Sequence, residues 1–548
     1  MRLSRRLAPF IASLVAATLV TLPSAGASVT ASESRLRNNP GPVSLFSRAT
    51  AMPVTTEPTN ASVVPGPAGA RITWGAGAGA TGASPDSGTP AASSGEGTLA
   101  PSVSSGFDTI PRIGPNWPAD PTGAKSDTYV FTAVNTSYAL YDLTGAPVLG
   151  PESFDGFFPL ATSAIVFDPK VIYDQYNQTF VLAFVAESDA LRKGWLLLVS
   201  IPNATATDKT TWCASKVPID RLAGDGRQWG DYPGLGYNAD RVTVTTNQFN
   251  FAAPGNFAYA QVLSFPKTSL YDCTQTLTYD VFTGLQTRDP DKTQAFTMQP
   301  ATSAGTNPAV DQYLLSYEWE TPSLVLWRIH DTLAGLRLTK VALPVPKVQI
   351  SPYGTQGGGS VTKWNTLWDP GDLRLVNAFY DTDLNMVYAA HVIRRNILPD
   401  TVTGGYAEAA IRWYEAQPGV VLADSALTRY GVVGTAETDA GWPVVATDAT
   451  GNLWVAYSRA SAVTGEFLSA WAAEILPGST VPETPLLLVA GQARFEAVSG
   501  PERWGDFNGI SRDPVDPALI AMINQYAKSD GSGPTADWQE TFSLLTHA

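Results

Sequence analysis

Apolar and polar positions follow one another along this chain in a pattern that recurs: a short apolar stretch, a polar turn rich in Asp and Asn, and a second apolar stretch. Asp and Asn suit such turns because their side chains bond to nearby backbone and tolerate left-handed conformations. The β-branched and aromatic residues on either side are typical of strands. The pattern therefore predicts a repeated β-hairpin. The copies lie at 171–183, 235–244, 309–315, 378–388, 444–455 and 510–521, with a looser copy at 130–141.

Further apolar runs follow the hairpins, for example 195–200 and 324–329, and continuous runs of this kind predict strands buried on both faces. Helical periodicity is scarce, and its nearest candidate, 408–413, is short. Many strands at regular spacing, in a segment too long for one ordinary core, favour a β-propeller. We predict an all-β fold of four-stranded antiparallel blades, with seven blades favoured and six as the alternative.

One motif within this pattern occurs twice. Residues 228–232 are Gln-Trp-Gly-Asp-Tyr, and residues 503–507 are Arg-Trp-Gly-Asp-Phe. The segments 168–174 and 503–511 resemble the blade signatures of exported bacterial β-propellers of the broad sialidase-like type, and the resemblance covers roughly 125–545. It implies an architecture first, because many members of that group have no assigned activity and a fold does not determine a function.

The start of the chain differs from the rest. A basic beginning, an apolar run and an Ala-Gly-Ala site predict a secretory signal peptide over 1–27. Residues 28–105 are rich in Ala, Gly, Ser, Thr and Pro, which predicts a flexible, low-complexity spacer, and 106–548 is then the propeller domain. No later apolar stretch is long enough to span a bilayer. We therefore expect a secreted protein, extracellular or periplasmic.

The net charge and the small numbers of histidines and cysteines limit the classes of function that fit this chain. The formal net charge is -14, which argues against nucleic acid as a partner. Three histidines leave little room for a histidine-rich metal site. The two cysteines, Cys213 and Cys273, predict a disulfide in an exported chain, with two free thiols as the alternative.

Candidate site residues follow from the propeller, because the segment that leads into each innermost strand lies at the mouth of the central channel. The carboxylates expected there, as an acid–base pair or nucleophile, are Asp231, Asp372 and Asp506. Arginine can grip a carboxylate with its planar fork, and ringed aspartates can instead hold Ca²⁺. The accompanying binding candidates are Arg227, Arg374, Arg503, Trp229, Trp442, Trp504 and Asp168.

Each candidate also has a structural explanation. An Asp that recurs after Gly often caps a loop by accepting backbone N–H bonds. A recurring Trp, as at Trp229 and Trp504, often packs between blades, and Arg–Asp pairs often hold neighbouring loops together. Both interpretations stay open at the level of sequence.

Three functions fit these features. The favoured one is a secreted, monomeric β-propeller that binds a ligand, such as a glycan or another cell-surface molecule, at the channel mouth without catalysing a reaction. The first alternative is a sialidase-like glycoside hydrolase or lyase that uses the mouth carboxylates and arginines. The second alternative is a structural or adhesion module. No cofactor is expected, apart from the calcium considered above.

Overall fold

The computed structural model describes residues 100–113, 118–154, 158, 160, 164–220, 228–251, 257–287, 293–333, 335–360, 366–396, 407–497, 501–531 and 533–547. The predicted signal peptide and nearly all of the predicted spacer lie outside these residues. The first strand, β1 (Pro101–Pro111), includes residues 101–105, which the sequence placed in the spacer.

The described chain is nearly all β-structure, built from four-stranded antiparallel units in which successive strands pair. The strands of the first two units are β2 (Thr122–Lys125), β3 (Tyr129–Val134), β4 (Ser137–Asp142), β5 (Pro147–Ser153), β6 (Ile165–Asp174), β7 (Thr179–Ser188), β8 (Lys193–Pro202) and β9 (Cys213–Pro218). The next two comprise β10 (Gln228–Tyr237), β11 (Arg241–Asn250), β12 (Phe257–Pro266), β13 (Asp280–Phe282), β14 (Gln299–Ala304), β15 (Gln312–Glu318), β16 (Ser323–Thr332) and β17 (Gly335–Pro344).

The remaining strands complete the same arrangement. They are β18 (Ala378–Asp381), β19 (Met386–Asn396), β20 (Ala407–Gln417), β21 (Ala426–Val433), β22 (Asp439–Thr447), β23 (Leu453–Ser461), β24 (Glu466–Ile475), β25 (Leu486–Val489), β26 (Arg494–Phe495), β27 (Gly509–Arg512), β28 (Leu519–Lys528) and β29 (Thr535–His547). The described helices are short: α1 (Lys267–Leu270) and the 3-10 turns Asn203–Thr205, Lys209–Thr211 and Leu422–Asp424. None of them is long and apolar enough to cross a membrane. The segment 408–413, the nearest helical candidate, lies within β20.

The units are arranged radially. Their first strands contact one another in a closed ring, which runs from β2 through β6, β10, β14, β18, β22 and β27 and back to β2. Within this ring β14 and β18 pair in parallel, so that two units merge into one eight-stranded sheet. A closed ring of first strands with antiparallel sheets extending outward is the arrangement of a β-propeller.

The two ends of the described chain meet in one sheet. Strand β1 pairs antiparallel with β29, and the order of that sheet is β1-β29-β28-β27. The outermost strand therefore comes from the beginning of the domain and the other three from its end. This pairing closes the ring.

The polar turns between the first and second strands of the units are stabilised by hydrogen bonds to their own side chains. In five of them the Oδ1 atom of an Asp or Asn accepts a hydrogen bond from the backbone N–H two residues further on, at 2.8 to 3.2 Å. The side chain thus replaces a backbone partner inside the turn, as the sequence pattern predicts. The residues are Asp174, Asn238, Asp381, Asp448 and Asp513.

A disulfide links neighbouring units. Cys213, the first residue of β9, is bonded to Cys273, which follows α1, and their Cα atoms are 5.4 Å apart. The bond closes a loop with a sequence separation of 60 residues. In the loop-entropy model such a cross-link stabilises the fold by about 4 kcal/mol.

Candidate functional site

Three of the first strands, β6, β10 and β22, carry β-bulges near their upper end, by which we mean the end where the first strands begin. Pairing shifts register between Phe167 and Lys170 in β6 and between Asp231 and Gly234 in β10. The residue at each bulge has a positive φ, 56° for Asp168 and 51° for Tyr232, although neither is glycine. A bulge re-aims side chains and often lies beside a functional site, and positive φ at such residues is a strain that local contacts must offset.

Hydrogen bonds to these bulges connect units that are far apart in the sequence. The N–H of Asp506 donates to Asp120 Oδ1 at 2.7 Å, and Asp120 Oδ2 accepts from Asn135 Nδ2 at 2.8 Å. Asn135 Oδ1 in turn accepts from the N–H of Asp168 at 2.7 Å. This chain of bonds fixes the upper ends of three units relative to one another.

Two of the aspartates share one backbone donor. The N–H of Tyr232 lies 3.1 Å from Asp168 Oδ2 and 3.0 Å from Asp231 Oδ1. Both residues are buried. The two carboxyl groups therefore meet at a single nitrogen, in a setting where like charges repel strongly.

Cationic side chains surround these carboxyl groups. Arg503 Nη2 donates to both oxygens of Asp506, at 3.0 and 2.9 Å. Arg374 Nε lies 3.0 Å from both oxygens of Asp372, and its guanidinium lies 4.4 Å from the centroid of the Tyr232 ring. We call Asp120, Asp168, Lys170, Asp231, Arg374, Arg503 and Asp506 the axial cluster.

Lys170 is the cation within the cluster that lacks a paired carboxylate among the described residues. Its Nζ lies 3.3 Å from the centroid of the Phe507 ring, and Phe507 in turn contacts Tyr232, with ring centroids 4.8 Å apart. The residue is 8% exposed. An aromatic face stabilises an ammonium group by its quadrupole, but more weakly than a carboxylate does.

Burial dominates the electrostatics of the cluster. It raises the pKa of Asp120 to about 8, and the charge of Asp506 adds to this rise while Arg503 and Lys170 oppose it. Burial, followed by the charge of Asp231, raises the pKa of Asp168 well above its usual range. The pKa of Asp231 is also raised by burial, against the charge of Arg374.

The same cause acts on the lysine in the opposite direction. Burial lowers the pKa of Lys170 to about 7, although the charges of Asp168, Asp120 and Asp506 act to raise it. Strongly shifted titratable groups that converge at one place are typical of functional sites, and they also occur in structural ion-pair networks.

The structure brings most of the predicted site residues together. Asp231, Asp506, Asp168, Arg374 and Arg503 belong to the axial cluster, and Asp372 lies beside it through Arg374. Trp442 occupies the corresponding bulge of β22, with φ 53°, and its Nε1 donates to the backbone oxygen of Asp369 at 2.8 Å. Arg227 lies outside the described residues.

In the repeated Trp-Gly-Asp motif, the tryptophans pack in the interior and the aspartates belong to the axial cluster. Trp229 is buried against Phe249, and Trp504 is buried with its Nε1 bonded to Ser458 Oγ at 2.9 Å. A Cβ on Gly505 would lie 2.4 Å from Gln525 Nε2 and would displace this amide, which donates to the Trp504 backbone oxygen at 2.8 Å. Both tryptophans therefore pack inside the protein, and only the Asp of each copy reaches the axial cluster.

Sequence reasoning did not select Asp120, Lys170 or Tyr232. One signal could have found two of them: residue pairs that end in proline recur before or within the first strands, as Asp120-Pro121, Asp168-Pro169 and Tyr232-Pro233. Proline tolerates a bulge because it needs no ladder hydrogen bond. Nothing comparable marks Lys170.

At the lower end of the ring, the charged groups are paired. A cavity on the axis there is lined by Lys125, Tyr173, Tyr237, Phe379 and Arg512, among others. Lys125 Nζ lies 2.8 Å from Asp513 Oδ2, and Arg512 pairs with Asp381. The lower end is therefore bound together by ion pairs, whereas the upper end contains an unpaired lysine.

No group of three or more His, Cys, Asp or Glu side chains in the described part of the chain is arranged to hold a metal ion. The calcium considered from the sequence thus has no set of ligands among these residues.

Comparison with known proteins gives only distant likenesses. No family model matches the chain, and no curated protein does. Among solved structures, a family-93 α-L-arabinofuranosidase of Fusarium graminearum with arabinobiose matches with a TM-score of 0.34 and 8% identity over 80% of this chain and 97% of its own. An endo-arabinase from Bacteroides thetaiotaomicron matches with a TM-score of 0.27 and 15% identity, over 59% and 93%.

An exo-β-1,3-galactanase from Clostridium thermocellum has a TM-score of 0.29 and 8% identity, over 78% of this chain and 95% of its own. Likenesses this weak establish nothing about activity. The closed ring of first strands is what defines the β-propeller.

Proposed function

We propose that this chain is a secreted, monomeric, seven-bladed β-propeller that binds a carbohydrate at the upper end of its axis without catalysing a reaction. We count the eight-stranded sheet as two blades. Each half is an antiparallel unit of four strands, and β14–β18 is the strand pair that connects the halves. The observation that carries the binding proposal is the convergence of charged side chains from distant units at one end of the axis.

The outer layer of this region suits a sugar. The side chains of Arg374 and Arg503 are each 24% exposed, and that of Asp372 is 42% exposed. Guanidinium groups only donate hydrogen bonds and carboxylates only accept them, whereas each sugar hydroxyl does both. Alternating donors and acceptors over a buried floor can therefore orient neighbouring hydroxyls.

Most of these groups already have protein partners, and this supports binding over catalysis. Asp506 is held by Arg503, Asp372 by Arg374, and Asp120 by a backbone N–H and an amide. Groups held in this way are pre-organised for recognition, because little side-chain entropy is lost when a ligand arrives.

Arg374→Leu tests the site. We expect the glycan that wild-type protein retains best on an array to bind the variant at least about 10-fold more weakly, a loss of about 1.4 kcal/mol, in titration calorimetry. The matched control is Arg494→Leu, since Arg494 pairs with Glu496 two residues away and has a similar side-chain exposure of 26%. Equal affinity of the Arg374 variant and wild type, or no retained glycan, would contradict the proposal.

Hydrolysis of a glycosidic bond is the second candidate, and one observation favours it. Asp168 and Asp231 meet at the N–H of Tyr232, and both have raised pKa values. Because two carboxylates at one nitrogen repel each other, one carboxyl of such a pair can act as an acid while another, on Asp231 or Asp506, acts as a base or nucleophile. Asp372 is the third carboxylate that the sequence suggests.

Turnover decides between the two candidates. If wild-type protein releases reducing ends from a retained glycan, we expect Asp231→Asn to lower the rate by at least about 100-fold, as for loss of a general acid or base. Asp280→Asn is the control, because Asp280 lies in the outermost strand of its unit, β13, and pairs with Arg241. Release of reducing ends that survives in both Asp231→Asn and Asp506→Asn would exclude this placement of the reaction.

A further inference from the structure

Lys170 offers a chemistry that carbohydrate binding does not use. It follows the bulge of β6, is more than nine-tenths buried, and forms neither an ion pair nor a hydrogen bond with a described residue. Its neighbour is the face of Phe507, at 3.3 Å from the ring centroid. Lysines that carry structural charges in this protein differ: the buried Lys125 and Lys267 are ion-paired at 2.8 and 2.7 Å.

We infer that Lys170 is a reactive amine that condenses with the carbonyl group of a small aldehyde admitted at the upper end of the axis, forming a Schiff base. An amine becomes a nucleophile when it is desolvated and lacks a carboxylate partner to keep it protonated. Both conditions hold at Lys170, whereas Lys125 and Lys267 are buried but each has a carboxylate partner. This inference is independent of which carbohydrate, if any, the protein binds.

The groups around Lys170 can carry the protons of such a reaction. Its ionisation is governed by burial and by the charges of Asp168, Asp120 and Asp506, and Arg503 acts on the last two of these. Because burial lowers the pKa of Lys170 to about 7, a large fraction of the amine is neutral at neutral pH. The raised pKa of Asp168 keeps a carboxylic acid available nearby.

The chemical step is balanced without an oxidant or a reductant. The nitrogen lone pair of Lys170 forms a bond to the carbonyl carbon while the C=O π bond breaks, and the oxygen takes a proton from a carboxylic acid of the cluster. The nitrogen releases one proton to a carboxylate, which gives the carbinolamine. Its hydroxyl group then takes a second proton from a carboxylic acid of the cluster, the nitrogen lone pair forms the C=N bond as the C–O bond breaks, and water leaves. The nitrogen finally returns its remaining proton to a carboxylate. Overall, two amine protons and the carbonyl oxygen depart as one water molecule.

Reductive trapping tests the inference on the intact protein. Folded wild-type protein is treated with glycolaldehyde and cyanoborohydride at pH 7, and modified lysines are mapped by mass spectrometry. We expect Lys170 to be modified at least about 10-fold faster than Lys193, whose side chain is 49% exposed and paired with Asp220. Modification of Lys193 with Lys170 left unmodified would overturn the inference.

The dependence on pH separates nucleophilicity from mere accessibility. We expect the modification rate at Lys170 to level off above about pH 8, because the amine is by then neutral. Nα-acetyl-lysine, added as an internal standard, has a free side-chain amine, and its modification rate should rise until about pH 10. Parallel profiles for Lys170 and the standard would also overturn the inference. Lys170→Arg should remove the adduct, and the wild-type map decides the question even where this variant is unstable.

Discussion

A chain that starts at residue 113, and so lacks β1, is expected to lose cooperative folding. β1 pairs with β29 from Pro101–His547 to Pro111–Gln539, and its Ile110 is completely buried. Without it β29 becomes an exposed edge with unpaired backbone groups. The expected loss is comparable with the roughly 5–15 kcal/mol by which folded domains are stable.

Side-chain contacts add to the loss. Glu540 on β29 is buried and accepts a hydrogen bond from Thr109 Oγ1 at 2.8 Å, and Asp108 accepts from the Tyr526 hydroxyl at 3.0 Å. Phe107 packs on Phe542 with ring centroids 5.0 Å apart. Removal of β1 therefore leaves a buried carboxyl group without its hydroxyl partner as well as an apolar surface open to water.

Thermal unfolding followed by circular dichroism, with size-exclusion chromatography, measures this effect. The control chain starts at residue 100 and should melt as the full chain does. A synthetic peptide covering 100–113 should bind the shortened chain and restore part of its melting temperature. A shortened chain that stays monomeric and melts within a few degrees of the control would contradict the role assigned to β1.

Replacement of Arg512 by Met is expected to lower the free energy of unfolding strongly. Arg512 pairs with Asp381 while only 3% and 2% of their side chains are exposed, and its Nε donates to the Thr447 oxygen at 2.8 Å. Its Nη2 also donates to the backbone oxygen of Asp448 at 3.0 Å. One side chain thus joins three units at the lower end of the axis. Loss of one partner from a buried pair is expected to cost about 3–5 kcal/mol, because the remaining charge is left uncompensated.

Urea unfolding of a set of variants tests the origin of this cost. Arg512→Met combined with Asp381→Asn should recover part of the lost stability, since no bare charge then remains buried. Lys528→Met is the control, because Lys528 and Asp108 are each about 40% exposed, and it should cost at most about 1 kcal/mol. If Arg512→Met costs no more than the control, the pair does not hold the lower end together.

The hairpins could be predicted from the sequence because the interactions that form them are between residues close together in the chain. Asp174 and Asp513 stabilise their turns through backbone groups two residues away, so the sequence pattern and the structure describe the same interaction. The segment 408–413 shows the opposite case. Its residues suit either a short helix or a strand, and pairing of β20 with β19 and β21 decides in favour of the strand.

The axial cluster was only partly accessible, for a physical reason. Asp231 and Asp506 each lie seven residues before a turn residue, Asn238 and Asp513. This shared spacing indicates one level on the axis, since a strand advances by a constant rise. At the bulge of β6 the alternation of side chains breaks, so the same spacing does not distinguish Phe167 from Asp168. Asp120 precedes its strand instead of lying in it, and the significance of Lys170 depends on neighbours distant in sequence.

The pairing of β1 with β29 also has a consequence for biosynthesis. The ribosome makes β1 before the other described strands, and β1 waits for its partner until β29 has been made. Domains that fold as they are made cannot complete such a structure early. We therefore expect the ring to stay open during synthesis until β29 is available to pair with β1.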